Sequence, residues 1–526
     1  MERGTVQCTG QGALVDKPAN SSAQSDDAAQ LAALGYTSEF KREMSLWSNF
    51  ALGFLYLSPV VGVYTMFGFG SSFMGGLVWL PLVIAGFGQL LVATVFGEVV
   101  SQFPVAGGLY PWTRRLWGKK YAWLTSWVYM WAIVATIAGV VYGAGPYIAW
   151  LLGFTASAGS TVICALILLA IATVINFMGT KVLSVIARIA FVCELTGCLI
   201  VGVLLLTIAR HGGISTLFHT FGAGKPGSYF PAFATGALIG LWVYYGFEAC
   251  GDVAEEVPNA SRVIPKAMRR TIYVGGAAST FITVSFILSV SNWADVISGK
   301  ETDPVGTALS GAFGTVGMKI VLCVVLISFL SCAMSLQAAG SRLMYSYGRD
   351  RMIFGHRFFS RFNEKRHVPQ YAMGIAGLLP AIVVLISLFS TNALAKIIAF
   401  ASCGIYCAFT MVTIAALRAR LKGWQPDGRF TMGNWGLAIT SAAIAYQFIA
   451  ILDMCYPHYA NVSWLDNYIV ILGLVIVFGI GIVYMALGRP WGTSTAPSSD
   501  AIALHHRKAA HVVQPVQPQL GAEESS

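Results

Sequence analysis

Apolar residues in this chain fall into long unbroken blocks separated by short polar stretches. A helix that is apolar on all sides over about 20 residues can cross a bilayer, whereas strands of a membrane barrel would alternate over roughly ten residues. The blocks do not alternate, so the pattern predicts an all-α membrane protein. We place twelve membrane-spanning helices near residues 46–70, 76–100, 121–150, 158–178, 182–208, 230–254, 271–292, 315–345, 371–390, 393–417, 434–456 and 465–487.

Composition and charge agree with a chain that lies in lipid. Hydrophobic residues fill 56% of the 526 positions and charged residues only 11%, against roughly 25% in soluble proteins. The net charge of +10 fits the excess of Lys and Arg on the cytoplasmic side of membrane proteins, so no nucleic-acid partner is expected. The cysteines are interpreted as free thiols and the histidines lie in loops and tails, so neither a metal site nor a cofactor is predicted.

Basic residues are concentrated in alternate loops, which predicts the orientation of the chain. The opposite loops hold only Arg210, Lys225 and Lys300, with Lys319 and Lys396 near helix ends. Because positive residues favour the cytoplasmic side, both termini are predicted to be cytoplasmic. The first basic loops hold Arg114, Arg115, Lys119, Lys120, Lys181, Arg262, Lys266, Arg269 and Arg270.

The two ends of the chain differ from the apolar blocks. Residues 1–43 and 489–526 are polar, and both are predicted to be cytoplasmic tails that are mostly disordered. Charges mix with aromatic residues between Gly35 and Ser45, which favours a short helix at the membrane surface there.

The first predicted span contains residues that interrupt a helix near its middle. It reads Leu57-Ser58-Pro59-Val60-Val61-Gly62. Proline removes a backbone donor and clashes with the preceding turn, and glycine allows local unwinding. Taken alone, this run would be explained equally well by an ordinary kink.

The sixth predicted span has a matching interruption with a charge beside it. Gly246 lies near its centre and is followed by Glu248. A charged group at the bilayer centre costs at least about 2.5 kcal/mol, so Glu248 indicates a partner, a water-filled cavity or a function. The first and sixth spans are equivalent positions if ten helices form two repeats of five. Paired interruptions at such positions indicate a transport site.

Several motifs, taken in order, resemble those of the amino acid–polyamine–organocation permeases. The resemblance covers about residues 34–487. The segment just before the first span resembles the corresponding segment of the amino acid/choline branch of this family, which includes permeases for GABA. The motifs are Leu34-Gly35-Tyr36, Ser45-Leu46-Trp47, the segment Gly97 to Tyr110, Gly246-Phe247-Glu248-Ala249, Glu255-Glu256-Val257-Pro258-Asn259, Ser341-Arg342-Leu343-Met344-Tyr345 and Gly348-Arg349-Asp350.

The resemblance implies both an architecture and a substrate site. The architecture is a five-plus-five inverted repeat, in residues 44–210 and 211–420, with two further helices in residues 421–488, and it works by alternating access. Amides of the first break would hold a substrate carboxylate, and carbonyls of the sixth would hold the amine. The implied substrate-binding residues are Ser58, Val60, Val61 and Gly62 on the first span and Trp242, Tyr245 and Gly246 on the sixth.

The resemblance also implies a lid over the substrate. In the arginine–agmatine exchanger of this family, a tryptophan six residues before the sixth-span glutamate closes over the substrate. Trp242 has that spacing from Glu248. Packing of Trp242 against lipid is the alternative interpretation.

Two positions depart from the family pattern, and they bear on ion coupling. Val60 stands where the first glycine of a Gly-x-Gly break is usual, and Glu194 stands where many members have a lysine that replaces a sodium ion. Glu194 would therefore itself carry a proton or bind a cation. Glu248 is predicted to carry a proton or to couple a gate, with a paired structural carboxylate as the alternative. Glu98 and Asp252, near the cytoplasmic ends, are predicted to gate the inner mouth.

The leading hypothesis is a secondary active permease of the plasma membrane for an amino acid or a related amine such as GABA. Protons or exchange for a counter-substrate would drive it. A choline or ethanolamine carrier is the alternative, in which Glu194 or Glu248 would pair with the cation; a sensor derived from a transporter is more remote. The sequence has no paired catalytic groups and no Walker loop, so neither an enzyme nor an ATP-driven pump is expected. The oligomeric state is not predicted.

Overall fold

The computed structural model describes residues 27–37, 40–224, 228–390, 392–457, 463–494 and 496–503. The regular structure in these ranges is helical, and an isolated β-bridge joins Asn363 and Val368. A helical segment over residues 27–33 comes first. The α-helices that follow are α1 (Leu46–Leu57), α2 (Pro59–Met74), α3 (Leu80–Gln102), α4 (Leu109–Leu116), α5 (Lys119–Gly143), α6 (Gly145–Leu152), α7 (Ala158–Phe177), α8 (Thr180–Ile208), α9 (Phe230–Gly236), α10 (Leu238–Val243), α11 (Ala249–Asp252), α12 (Ala260–Ser289), α13 (Trp293–Ile297), α14 (Pro304–Arg349), α15 (His356–Phe359), α16 (Gln370–Ile386), α17 (Ala393–Leu421), α18 (Gly436–Cys455), α19 (Trp464–Asn467) and α20 (Ile469–Gly488).

Ten helical stretches in the described ranges are long and apolar enough to cross a membrane, which confirms the all-α membrane class. The stretch Leu46–Gln102 covers the first two predicted spans, and the sixth predicted span contains a shorter apolar helix, Phe230–Val243. Large apolar side chains stay exposed on α7, α8 and α20, as expected for faces that meet lipid. Twelve separate crossings remain a prediction.

Helix α14 is longer than its predicted span of residues 315–345. It begins at Pro304 because Asp303 caps its first turn, with the Asp303 carboxylate accepting from the amide of Gly306 at 3.1 Å. The backbone at Gly314 is non-helical, with φ of 61°. The predicted span therefore begins where a second helical segment starts, directly after this kink.

The first span is interrupted at Ser58, as its sequence predicts. Ser58 has φ of 41°, a left-handed value that ends α1, and Pro59 takes the first position of α2, where a missing N–H costs nothing. The sixth span is interrupted between the end of α10 at Val243 and the start of α11 at Ala249. Gly246 has φ of 119°, which a residue with a side chain rarely adopts.

Backbone contact joins the two interruptions. A Cβ atom on Gly246 would lie 2.6 Å from the backbone nitrogen of Leu57, so only glycine lets the sixth span approach the end of α1 this closely. A Cβ atom on Gly62 would lie 2.6 Å from a methyl carbon of Val243. Around them, α8 and α12 pack against α1, α14 packs against α8, and α5 packs against α17.

The described parts of both tails pack onto the protein, and mostly disordered tails remain a prediction. Leu31, Leu34, Phe40 and Met44 are buried, and the amide of Met44 donates to the carbonyl of Glu256 at 3.0 Å. No helix occupies the described residues between 35 and 45; the helical segment lies earlier, over residues 27–33. Residues 496–503 cover the end of α4. Residues 1–26 and 504–526 lie outside the described ranges.

Candidate functional site

The predicted substrate-binding residues come together where the two interrupted spans meet. Ser58, Val60 and Val61 line the first break, and Trp242 and Tyr245 line the sixth. Each of these five side chains is buried. The site is therefore closed on all sides by the bundle, and opening it requires helices to move.

The first turn of α2 is bound by the protein's own groups. One oxygen of Glu194, on α8, accepts from the Ser58 hydroxyl at 2.6 Å and from the Val60 amide at 3.2 Å. The amide of Val61 donates to Ser58 Oγ at 3.2 Å, and the amide of Gly62 donates to the Ser58 carbonyl at 2.9 Å. The amides that the family resemblance assigns to a substrate carboxylate thus meet a serine and a glutamate of this chain.

Glu248 folds back onto the broken backbone of the sixth span. One carboxylate oxygen accepts from the Gly246 amide at 2.7 Å, and the other lies 3.5 Å from the Tyr129 hydroxyl of α5. Tyr129 also donates to Asp252 at 3.1 Å. Tyr56, at the end of α1, lies within electrostatic range of Glu248. Glu248 is thus connected to Asp252, one helical turn further along the span, through a shared tyrosine.

Trp242 lies inside the bundle, so the alternative of packing against lipid is wrong. Its indole N–H donates to the Thr65 hydroxyl of α2 at 3.1 Å, and Thr65 in turn donates to the carbonyl of Val61 at 2.7 Å. Its ring meets that of Tyr245 edge-on at 5.6 Å, and the Tyr245 hydroxyl lies 3.4 Å from Thr136 of α5. The lid position therefore ties the sixth span to the first.

Ion pairs cluster at the helix ends near Glu98 and Asp252, the end that the sequence predicts to be cytoplasmic. Glu98 pairs with Arg420 and also accepts from the amide of Met432 at 2.8 Å. Asp252 forms no ion pair among the described residues; besides its bond to Tyr129, its backbone carbonyl accepts from the amide of Gly107, in the loop just before α4, at 3.0 Å. The other pairs at this end are Glu255 with Arg349, Glu256 with Arg342, Asp350 with Arg114, and Asp500 with Arg115.

The N-terminal segment adds hydrogen bonds to this cluster of ion pairs. The Tyr36 hydroxyl donates to Asp350 at 3.1 Å, and the carbonyl of Leu34 accepts from Arg115. Burial, with the neighbouring Asp350 carboxylate, raises the pKa of the Tyr36 phenol, so it remains protonated and able to donate. The tail thus adds hydrogen bonds to the ion-pair cluster at this end of the helices.

Several groups at the site were missed from the sequence. Thr65, Tyr129 and Cys332 are neutral and lie inside apolar blocks, where nothing marks them as functional. The Cys332 thiol contacts the Tyr56 carbonyl at 3.3 Å, a carbonyl next to the first break.

Two cavities lie away from this centre. One of about 340 Å³ is lined by Arg210, His211, Asp295 and Glu301, and another of about 750 Å³ is lined by Tyr142, Thr161 and residues 388–390 and 392–394. Neither touches Glu194 or Glu248. The chemistry of the two breaks is therefore the stronger guide to function.

Comparison with known proteins extends these observations. Residues 44–494 match the family described as amino acid permease. The chain is 27% identical to an amino-acid permease BAT1 homolog of Oryza sativa subsp. japonica, over 82% of this chain and 88% of that protein. It is 26% identical to the amino-acid permease BAT1 of Arabidopsis thaliana, over 81% and 89%. It is 24% identical to amino-acid permease 2 of Neurospora crassa, over 91% of each chain.

Proposed function

Because this chain belongs to the amino acid permease family and is a multi-pass integral membrane protein, we propose that it is a secondary active permease for an amino acid or a related amine such as GABA. It works by alternating access, and either protons or exchange for a counter-substrate drives it. The names of its relatives, which are amino-acid permeases, support this substrate class.

The proposed architecture follows the predicted repeats. Twelve spans form a five-plus-five core over residues 44–210 and 211–420, with two further helices in residues 421–488. Both termini face the cytoplasm, and the protein resides in the plasma membrane. The buried ion pairs at the inner mouth support a state that is closed to the cytoplasm, in which Glu98 and Asp252 belong to the gate.

One observation carries the proposal. Two interrupted helices touch at their breaks, and a buried carboxylate accepts from a backbone amide at one of these breaks. Broken helices free backbone amides and carbonyls for a solute inside a bilayer, where no other polar partner exists. Here Gly246 makes that contact possible, and Glu248 lies directly beside it.

Uptake into proteoliposomes tests the proposal. The purified chain is given radiolabelled neutral and cationic amino acids, GABA, polyamines and choline, with and without an inward proton gradient. We expect at least one amino acid or amine to accumulate, and we expect no change when potassium replaces sodium. Strict dependence on sodium would contradict the proposed coupling, and uptake equal to that of protein-free liposomes for every compound would contradict transport.

Replacing Trp242 by Ala is expected to raise the KM for the transported substrate about 2- to 30-fold, because a cation over an indole face contributes about 0.5–2 kcal/mol. Replacing it by Phe keeps a ring and should cost less. Thr65→Val is the companion variant: it keeps the indole but removes the partner of its N–H, together with the bonds from the Thr65 hydroxyl to the carbonyls of Val61 and Gly62. A KM in Trp242→Ala equal to that of the unaltered chain would refute the lid.

A further inference from the structure

The first turn of α2 has no free amide among its first four residues. Pro59 carries no N–H, Val60 donates to Glu194, and Val61 and Gly62 donate to the side chain and the carbonyl of Ser58. These are the N–H groups that a helix leaves without an internal partner, and they attract anions. In this protein that anion is already present, as a carboxylate of the chain itself.

The second oxygen of Glu194 is also informative. It is buried and has no hydrogen-bond partner among the described residues. The nearby Ser328 hydroxyl donates instead to the carbonyl of Val324, at 3.1 Å. The buried Tyr56 hydroxyl, on the α1 side of the break, lies close to Glu248. Unsatisfied acceptors in a dry interior are costly, so this oxygen is suited to receive a donor from a solute.

The ionisable groups at the two breaks are carboxyl groups. No ion pair in the described ranges reaches Glu194 or Glu248, and the buried arginines near this centre, Arg114 and Arg342, pair with Asp350 and Glu256 at the inner mouth. The rings of Trp242 and Tyr245 add negatively polarised faces. A solute carboxylate placed at α2 would meet a carboxylate of the protein, whereas an ammonium group would meet an unpaired acceptor.

We propose that Glu194 occupies the carboxylate position of the site itself and thereby selects amine cations that carry no carboxylate beside the amine. This inference rests on the proposed transport function and narrows its substrate class. Glu194 is a specificity-determining residue: its Oε1 holds the α2 amides, and its Oε2 accepts from the amine of the solute.

Matched pairs of solutes that differ only by the carboxylate test this assignment. We measure uptake efficiency in proteoliposomes for cadaverine against lysine, agmatine against arginine, and ethanolamine against serine. The unaltered chain is expected to prefer the amine of at least one pair by about tenfold or more, the discrimination expected from one charge-assisted hydrogen bond. Preference for the amino acid in every transported pair would overturn the inference while leaving the transport function standing. Uptake of neither member of any pair would overturn the inference, and the transport function would then be decided by the other amino acids and amines of the uptake panel.

Variants of Glu194 give the second arm of the test. Glu194→Ala frees the Val60 amide and removes the competing charge, so the ratio of amino acid to amine uptake should rise about tenfold. Glu194→Gln keeps an oxygen for Ser58 and Val60, so it should raise the ratio of amino acid to amine uptake by a smaller factor. This second variant keeps the test decisive if the alanine variant does not fold. The matched control is Thr196→Val, on an exposed position of α8, where the hydroxyl bonds only its own helix. An unchanged ratio in both Glu194 variants would contradict the assignment.

Discussion

Replacing Glu248 by Gln is expected to abolish accumulation of substrate against its gradient while leaving exchange across the membrane partly intact. Glutamine has the same shape and keeps an oxygen for the Gly246 amide, so the bent backbone of the sixth span is retained. It cannot gain or lose a proton. A buried carboxylate at a helix break with no basic partner among the described residues is suited to bind a proton in one state and release it in another.

The contacts of Glu248 suggest how such a proton would be sensed. Tyr129 reaches both Glu248 and Asp252, so a change of charge on one carboxyl alters the hydrogen bond available to the other. The carbonyl of Asp252 accepts from the amide of Gly107, in the loop that leads into α4. Protonation at the break would thereby be linked to the inner gate through one tyrosine.

The measurement uses proteoliposomes with an imposed pH gradient, and separately with substrate on both sides and no gradient. Glu248→Gln should lose the first activity and keep part of the second. Glu364→Gln, on an exposed loop, is the matched control and should behave as the unaltered chain. Tyr129→Phe should weaken the gradient response without removing it. Accumulation by Glu248→Gln that still follows the pH gradient would rule out the coupling role.

The sequence predicted the membrane helices and their interruptions because both depend on local chemistry. Long apolar blocks can be satisfied in lipid only as helices. Pro59 and Gly246 act on the backbone where they stand, so the breaks appear at or beside them. The start of α14 was misplaced because Gly314 is a kink within a longer helix rather than its beginning.

The partners at the site could not be predicted, because they join distant parts of the chain. Glu194 and Ser58 are separated by 136 positions, and nothing in either segment indicates that their side chains meet. Glu194 was recognised as unusual, but its bond to the α2 amides depends on how α8 packs against α1. The same holds for the tails: Leu31 and Phe40 are too sparse to predict packing until the pocket that buries them is known.

Replacing Arg342 by Met is expected to destabilise the closed inner mouth by about 3–5 kcal/mol, the cost of leaving a buried charge without its partner. Arg342 donates to Glu256 at 2.9 Å and also contacts Ser341, and both charged side chains are at most 1% exposed. The variant leaves the Glu256 carboxylate in a dry interior. The closed state should therefore lose population to a state in which water enters from the cytoplasmic side.

Two readouts check this result. Thermal unfolding in detergent should begin at a lower temperature. In a background in which all the other cysteines are replaced, Cys332 should be labelled faster by an impermeant thiol reagent from the cytoplasmic side. The double variant Arg342→Met with Glu256→Met should recover most of the loss, because a buried pair replaced by apolar residues of similar volume is often neutral or stabilising. Lys300→Met provides the comparison, since Lys300 is 78% exposed and its pair with Asp295 contributes little. Equal results for Arg342→Met and Lys300→Met in both measurements would exclude the Arg342–Glu256 pair as an element that holds the gate closed. Closure would then rest on the apolar packing of the N-terminal segment around Leu31, Leu34 and Met44.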